Sequence, residues 1–244
     1  MVAGEIEFVK AYVNGNDFVI VFQTPEMLDE AMVRMIADRR YGVGCDQILC
    51  VQPIGTFAIP NGHYSVTIFN SDCTSAKMCG NGVCAVAACV AVFNGHKDID
   101  ITVDVCDAEY SVKVCGPDVA VEFPLPTLLD SGIVSTGNKH VIRGMSEVAD
   151  VSSISMSHSE CNIHFVDVVS NTKIRMKTFE RGVGWTNACG SGAVASVYYL
   201  RLKDRIGVIH DGGMSFVEVL GDRAYLTVQP RIVFKGVWYG QSIV

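Results

Sequence analysis

The chain has 244 residues, of which 49% are hydrophobic and 18% charged, a composition typical of a globular protein and unlike that of a disordered chain. Its formal net charge is -7 and its lysines and arginines form no cluster, which argues against nucleic acid or an anionic membrane surface as the partner. Ten cysteines occur without a secretory signal pattern, so we expect a cytoplasmic protein with free thiols that acts on a small molecule.

The first half of the chain predicts strands on both sides of two helices. An apolar face at helical spacing predicts a helix from Pro25 to Arg39. The apolar run Val83–Phe93 predicts a second helix about 16 Å long, too short for the roughly 30 Å core of a bilayer, so we expect it to be buried in the protein. The predicted strands are Ile6–Lys10, Phe18–Phe22, Gln47–Val51, Tyr64–Phe69, Ile99–Val105, Tyr110–Val114 and Val119–Phe123.

The second half repeats this plan after a linker candidate, Pro124-Leu125-Pro126. A Gly-Asn pair lies between apolar stretches in both halves, at Gly15-Asn16 and at Gly137-Asn138. A helical or irregular stretch is expected after His140, and a last helix is expected to end near Leu202. The predicted strands are Ile163–Val169, Ile174–Phe179, Phe216–Val219, Ala224–Val228 and Ile232–Tyr239.

One short motif occurs in both halves. Met78-Cys79-Gly80-Asn81-Gly82 and Ala188-Cys189-Gly190-Ser191-Gly192 each open an apolar run rich in alanine and valine. The N-terminus of a following helix favours the thiolate of the cysteine that precedes it. We therefore interpret Cys79 and Cys189 as catalytic and expect two similar α+β halves with a ligand cleft between them.

Other readings of the cysteines are weaker. Cysteine is often a small buried hydrophobe, and Cys84, Cys89, Cys106 and Cys115 are interpreted in that way. The thiols lack the close Cys-x-x-Cys or paired-histidine spacing of a structural zinc site, so no metal is expected. The chain also contains neither a Walker-type loop nor a dinucleotide fingerprint after a strand.

With both motifs placed, the chain resembles the diaminopimelate epimerases, a family of cofactor-independent amino-acid isomerases. Each matching segment is weak alone, but their order and spacing together are specific. The segments are Gly15–Phe18, Asp38–Gln47, Ile68–Asp72, the first cysteine motif, Gly137–His140, and Phe179–Gly182 leading into the second motif.

The resemblance implies an α+β fold of two pseudo-symmetric domains, each a mainly antiparallel sheet wrapped around a central buried helix, with the active site in the cleft between them. The expected domains are residues 1–123, to which the strand at 232–244 returns, and residues 124–231. No cofactor is expected, and a homodimer is left open.

The resemblance also assigns roles to residues on both sides of the cleft. Cys79 and Cys189 are the two bases that epimerise LL-diaminopimelate to the meso isomer, paired with His140 and Glu180 respectively. Arg181 holds the distal carboxylate through a planar two-point contact. The remaining expected substrate contacts are Asn16, Gln47, Asn70, Gly80, Asn81, Asn138, Asn162, Gly190 and Ser191.

The chain departs from the family pattern at a few positions. Lys139 stands where the family usually has proline, and Trp185 replaces a usual glutamate; we expect Trp185 to pack in the core. Two alternative functions stay open: another amino-acid racemase of the same superfamily, and a thiol redox or ligand-binding protein without turnover. Proline racemases typically carry histidine where this chain has Asn81, which argues against that activity.

Overall fold

The computed structural model describes residues 5–55, 62–130 and 132–240. The helices are α1 (Glu30–Ala37), α2 (Gly80–Phe93), α3 (Val151–Ser157) and α4 (Gly190–Tyr199), with 3-10 turns at Pro25–Met27 and Met145–Asp150. The first nine strands are β1 (Glu5–Val13), β2 (Asn16–Val21), β3 (Gln47–Pro53), β4 (His63–Asn70), β5 (Asp98–Val105), β6 (Ala108–Cys115), β7 (Asp118–Pro124), β8 (Thr127–Asp130) and β9 (Ile133–Ser135). The others are β10 (Lys139–Gly144), β11 (Asn162–Ser170), β12 (Lys173–Glu180), β13 (Gly184–Thr186), β14 (Ile206–His210), β15 (Gly213–Leu220), β16 (Arg223–Val228) and β17 (Arg231–Tyr239).

The chain forms two compact units. The first contains the described residues up to Val13, then Asp17–Val119, and the described residues from Pro230 onward; the second contains Asn14–Asn16 and Ala120–Gln229. The sequence places the division at residue 123, whereas the contacts place it at 119. Residues 241–244 of the predicted returning strand lie outside the described residues, and β17 pairs antiparallel with β1 in the first unit.

The first unit is a mainly antiparallel sheet with helix α2 inside it. Strands β3–β4 and β5–β6 pair antiparallel, while β2–β3 and β4–β5 pair parallel. Every residue of α2 from Gly80 to Ala87 is buried, and the helix packs against β1, β3, β5, β6 and β17. A helix that is apolar on all sides is stable only when it is surrounded, which the sheet achieves by curling around it.

The second unit repeats this arrangement around α4. Strand β10 pairs parallel with β11 and antiparallel with β9, and β11 pairs antiparallel with β12. Antiparallel pairs β14–β15 and β15–β16 complete the sheet, and α4, buried from Gly190 to Val197, packs against β9, β10, β11, β15 and β16. The predicted α+β class of two similar halves, each with a sheet around a buried helix, is confirmed.

Several predictions of local structure are wrong. The helix predicted from Pro25 to Arg39 is only α1, because the carboxylate of Asp29 accepts a hydrogen bond from the Met32 N–H at 2.8 Å and starts the helix there. Cys106 and Cys115 are exposed rather than packed in the core. Helix α4 ends at Tyr199, before the predicted Leu202, and the short strands β8, β9, β10, β13 and β14 were not predicted.

Other expectations agree with the structure. The stretch after His140 contains the expected helical turns, including α3. Among the described residues, no helix combines the length and apolar character needed to cross a bilayer. Burial raises the pKa of the Cys89 thiol to about 12 and that of Cys84 further, as suits packing residues.

A charged network fixes the loop between α1 and β3. The Asp17 carboxylate accepts hydrogen bonds from Lys10 at 2.6 Å, from Arg39 at 2.7 and 3.0 Å, and from the backbone N–H of Asp46 at 3.0 Å. Burial would raise the pKa of Asp17, but the hydrogen bonds from Arg39 and Lys10 outweigh it and lower this pKa to about 2. The Asp38–Gln47 segment is thereby tied to the start of β2.

We predict that Asp17→Asn lowers the free energy of unfolding by roughly 2–4 kcal/mol, because it leaves the nearly buried Lys10 ammonium without a charge partner. The control is Glu160→Gln, which breaks the exposed Lys139–Glu160 pair and should cost less than about 1 kcal/mol. Urea denaturation of both variants at pH 7 measures the difference. Equal losses would show that the network contributes nothing beyond a surface ion pair.

Candidate active site

Cys79 lies at the N-terminus of the buried helix α2. Its sulfur accepts a hydrogen bond from the Gly82 N–H at 3.4 Å, and its carbonyl accepts the first intrahelical bond from Val83. The N–H groups of Gly80 and Asn81 precede that bond and point out of the helix end. This end stabilises negative charge, both on the sulfur and on an anionic group placed beside it.

Amide side chains form a polar group in the first unit, where β3 begins and β4 ends. Gln47 and Asn70 face each other across β3 and β4, and Gln47 Nε2 donates to Asn70 Oδ1 at 2.9 Å. Asn70 Nδ2 in turn donates to Thr74 Oγ1 at 2.9 Å. The Gln47 Oε1 and Asn81 Oδ1 atoms are buried with no hydrogen-bond partner among the described residues. A buried amide oxygen without a donor is costly, so these two atoms suit a ligand that brings N–H groups.

Cys189 occupies the corresponding place at the start of α4 in the second unit. It is 8% exposed, and its sulfur lies 3.6 Å from Ser191 Oγ. Its carbonyl accepts the first intrahelical bond from Ala193, so the N–H groups of Gly190 and Ser191 again precede the helical hydrogen bonds.

Two fully buried histidines lie beside Cys189. A ring nitrogen of His140, a ring nitrogen of His164 and the Cys189 sulfur all lie within 4.8 Å of one another. The two rings are hydrogen-bonded, with His140 Nδ1 2.8 Å from His164 Nε2. Each outer nitrogen meets a threonine hydroxyl: His140 Nε2 is 2.9 Å from Thr136 Oγ1, and His164 Nδ1 is 3.2 Å from Thr178 Oγ1.

The strand register assembles this cluster. In the parallel pair β10–β11, His140 lies opposite Asn162, and His164 lies two residues farther along β11, on the same face of the sheet. Across β11–β12, His164 faces Thr178. His164 and Thr178 were missed in the sequence, where a lone histidine in an apolar strand gives no sign of what it will face.

The donor set of His140, His164 and Cys189 is one that zinc accepts. The alignment of the rings does not suit such a site. Their centres are 5.0 Å apart, close to the upper limit set by the 2.8 Å nitrogen separation plus the two ring radii, so the rings point at each other almost in line. Each inner nitrogen is directed at the other ring rather than at a shared third point, as chelation would require. Among the described residues, His63, Asp104 and Glu109 form another such group, on the surface.

Three further predicted residues of this unit lie where β11 begins and β12 ends. Glu180 Oε1 accepts a hydrogen bond from Thr186 Oγ1 at 2.8 Å, across the β12–β13 hairpin. The backbone N–H of Arg181 donates to Asn162 Oδ1 at 3.0 Å, while the Arg181 side chain is exposed. The structure therefore brings Asn162, Glu180 and Arg181 together at one end of the β11–β12 pair.

The other predicted contacts lie in the two Gly-Asn turns. Asn16 begins β2, and the Asn138 carbonyl accepts a hydrogen bond from the Thr136 N–H at 3.0 Å, which closes the turn before β10. The predicted pairing of His140 with Cys79 joins residues of different units and stays a prediction.

Trp185 is half exposed, so the expectation that it packs in the core is wrong. Its ring contacts Phe165 at 5.9 Å and Phe179 at 5.5 Å between ring centres, on the surface of the sheet. It also lines a depression with Lys177, Asn187 and Asp211, so this residue combines packing with exposure.

The comparisons with known proteins bear on this site. A sequence model of the family described as diaminopimelate epimerase matches residues 8–124 and 133–231. The chain belongs to the diaminopimelate epimerase family. The diaminopimelate epimerase of Xylella fastidiosa strain M23 is 34% identical over 96% of this chain and 97% of its own. That of Alkalilimnicola ehrlichii is 30% identical over 95% and 98%. The resemblance inferred from the sequence is confirmed, and the chain is an enzyme of the isomerase class.

Solved structures share the fold at low identity. A predicted epimerase of Pseudomonas aeruginosa has a TM-score of 0.72 at 13% identity, covering 95% of this chain and 98% of its own. A hydroxyproline epimerase of Agrobacterium vitis, with trans-4-hydroxy-L-proline bound, has a TM-score of 0.71 at 10% identity, covering 96% and 90%. At such identities the likeness concerns the fold alone.

The buried histidines predict a loss of stability in mild acid. Burial lowers the pKa of His140 to about 3, that of His210 to about 4, and that of His164 well below the usual 6.5. The unfolded chain takes up these protons near pH 6.5 while the folded chain does not, so their stabilising effect is complete above pH 6.5 and declines as the pH falls. Each histidine contributes a slope of up to roughly 1.4 kcal/mol per pH unit.

Urea denaturation between pH 7 and pH 5 tests this expectation above the range in which most carboxylates titrate. The free energy of unfolding should fall with the pH in the wild type, and His164→Leu should make the slope shallower by the share of one histidine. A flat wild-type profile would contradict the neutral, buried state of these rings.

Proposed function

We propose that this protein interconverts LL- and meso-diaminopimelate by moving the α-proton between two thiols, Cys79 and Cys189, without a cofactor. The observation that carries the proposal is that each cysteine is the N-cap residue of a helix whose first turns are buried on all sides. Family membership and the named relatives support the substrate.

The helix ends suit the difficult part of the reaction. An α-proton beside a carboxylate is only weakly acidic, so negative charge that builds on the carboxylate must be stabilised as the proton leaves. The N–H groups of Gly80, Asn81, Gly190 and Ser191 precede the first intrahelical bonds and are oriented before any substrate binds. They are the donors that we assign to this charge.

The proton transfer needs two groups in opposite states. One sulfur, as thiolate, takes the α-proton, and the C–H electron pair remains on the α-carbon. The other sulfur, as thiol, gives its proton to the opposite face, so the configuration inverts. The two sulfurs end with exchanged protonation states and return to the starting state through solvent. Thiols suit this cycle because modest shifts bring their pKa near working pH.

Polar side chains around the two helix ends bind and orient the substrate in this proposal. Gln47, Asn70, Asn16, Asn138 and Asn162 supply amide groups around the zwitterion, and the buried Gln47 Oε1 and Asn81 Oδ1 accept from its ammonium group. His140, as a neutral imidazole, and Glu180 set the protonation states of the sulfurs. The resemblance pairs His140 with Cys79, but a ring nitrogen of His140 lies within 4.8 Å of the Cys189 sulfur, so we assign His140 to Cys189. Arg181 holds the distal carboxylate.

We predict that Cys79→Ser and Cys189→Ser each reduce epimerisation by at least about 10²-fold with the fold retained, because each removes one acid/base group at nearly constant volume. The assay is chromatographic separation of LL- and meso-diaminopimelate after incubation, and circular dichroism checks the fold. Cys115→Ser, an exposed thiol far from both motifs in sequence, is the matched control and should keep full activity. Full activity in either motif variant would refute the two-base proposal, and an inactive wild type would favour a thiol protein without turnover.

The substrate assignment is tested through Arg181. Arg181→Lys keeps the charge but loses the planar fork, so kcat/KM for LL-diaminopimelate should fall about 10- to 100-fold, in line with the roughly 1.5–3 kcal/mol of a charged hydrogen bond. Arg175→Lys, an exposed change in strand β12, which ends directly before Arg181, should leave it unchanged. If the wild type turns over glutamate or proline as well as diaminopimelate, and Arg181→Lys has no effect, a broader racemase is indicated instead.

A further inference from the structure

The two units have the same strand framework around their motif cysteines. The interior side chains at equivalent positions are apolar in the first unit and polar in the second. In the first unit, β2 pairs parallel with β3 so that Phe18 lies opposite Gln47, and Leu49 faces Ile68 across β3–β4. In the second unit the same register places His140 opposite Asn162, and His164 opposite Thr178. The equivalent positions are therefore Phe18 and His140, Leu49 and His164, and Ile68 and Thr178.

The motif glycines confirm this equivalence. A Cβ added to Gly82 would lie 3.3 Å from Leu49 Cδ1, and a Cβ added to the matching Gly192 would overlap the ring of His164. Leu49 and His164 thus lie against the same turn of α2 and α4, directly after the motif cysteine. The His164 ring fills its space so completely that only glycine fits at position 192.

The fold does not require polar groups at these positions. Phe18, Leu49 and Ile68 are at most 1% exposed and fill the first unit with apolar side chains, whereas His140, His164 and Thr178 are at most 2% exposed in the second. Burying imidazoles and hydroxyls is unfavourable unless each is hydrogen-bonded, and an apolar set of similar shape avoids that penalty. The polar set therefore points to a task on the Cys189 side of the reaction.

The hydrogen bonds show what His164 does for His140. The chain Thr136–His140–His164–Thr178 has a hydroxyl at each end, which can donate or accept, and one N–H on each neutral ring. The protons can be arranged in two ways that give every ring nitrogen a hydrogen-bond partner. In one arrangement every donor points toward Thr178, and in the other every donor points toward Thr136. His164 thus holds His140 through its inner nitrogen and is held by Thr178 and by the close approach of Gly192.

We propose that His164 is a positioning residue for the Cys189 half of the reaction: it fixes the ring plane of His140 beside the Cys189 sulfur and couples the tautomer of that ring to its own. This inference rests on the proposed two-thiol function. Burial keeps both rings uncharged, which is consistent with action through hydrogen bonding rather than through an imidazolium ion. At the equivalent described positions of the first unit, Leu49 and Ile68 are apolar. The Cys79 half therefore has no counterpart of this chain of hydrogen bonds there.

A half-reaction that uses one base separates the two sides. When a thiolate removes the α-proton of a β-chloro analogue of diaminopimelate, the C–H electron pair forms the Cα–Cβ double bond and chloride leaves, so no second base is needed. The two α-configurations of the analogue present the proton to different sulfurs. The Cys79→Ser and Cys189→Ser variants identify which isomer depends on which thiol.

The test variants use the chain as its own control. His164→Leu installs the residue type that the first unit has at the equivalent position, and His164→Gln keeps an amide in reach of His140 Nδ1. His164→Leu should slow chloride elimination from the Cys189-dependent isomer about 10- to 100-fold, which is part of the rate enhancement that general acid–base catalysis supplies. The rate of elimination from the other isomer should change less than about threefold. His164→Gln should recover part of the loss.

A readout without activity accompanies the kinetics. In ¹⁵N nuclear magnetic resonance, the wild-type rings of His140 and His164 should carry their protons on the same type of nitrogen, both on Nδ1 or both on Nε2. The ring ¹⁵N shifts of His140 should change in His164→Leu, because His140 Nδ1 loses its partner. Equal slowing of both isomers, no slowing of either, or His140 ring ¹⁵N shifts that are unchanged in His164→Leu would overturn the assignment. Cobalt(II) that gives thiolate charge-transfer absorption with wild type and not with Cys189→Ser would also overturn it, in favour of a metal site. A wild type that neither epimerises diaminopimelate nor eliminates chloride would refute the proposed function, while the ¹⁵N measurement would still decide the role of His164.

Discussion

The N-terminus of a helix that is buried on all sides is the constraint on which the rest of this structure depends. Water cannot reach the first-turn N–H groups of such a helix freely, so the preceding residue or a bound ligand must accept from them. In the first unit the sulfur of Cys79 accepts from Gly82. Complete burial of a helix end accounts for three features of each unit. The sheet curls around the helix, glycines let side chains press against its first turn, and a thiol lies at its N-terminus.

Much of the fold could be predicted from the sequence, because the strongest sequence signals are those of the buried helices and the strands that form its framework. The apolar runs after the two motifs specified buried helices, and the alternating segments specified most strands. Short strands such as β9 and β13 have too few residues to show a period. The start of α1 depends on a side-chain cap at Asp29 that competes with the apolar pattern beginning two residues earlier.

The site was predicted less completely than the fold. Cys79, Cys189 and His140 stand in recognisable motifs, whereas His164 and Thr178 acquire meaning only when β10, β11 and β12 are paired in register. Cys106 illustrates the opposite error, since its residue type suggests burial while its place in the β5–β6 turn exposes it. The importance of His164 and Thr178 shows when the two units are compared. Where equivalent buried positions are apolar in one unit and polar in the other, the fold does not require the polar residues, which points to a chemical role.

The central claim is that hydrogen leaves the substrate to one thiol and arrives from another. A brief incubation of LL-diaminopimelate with the wild-type enzyme in heavy water, analysed by mass spectrometry before equilibrium, tests it most directly. The account predicts that the meso product carries one deuterium at the inverted centre, because the thiol that protonates the opposite face has exchanged with the solvent. The remaining LL substrate should carry almost none, because the sulfur that removed its hydrogen can return only that protium to the same face. A meso product that retains its original hydrogen would contradict the two-base account and show that a single group carries the proton across.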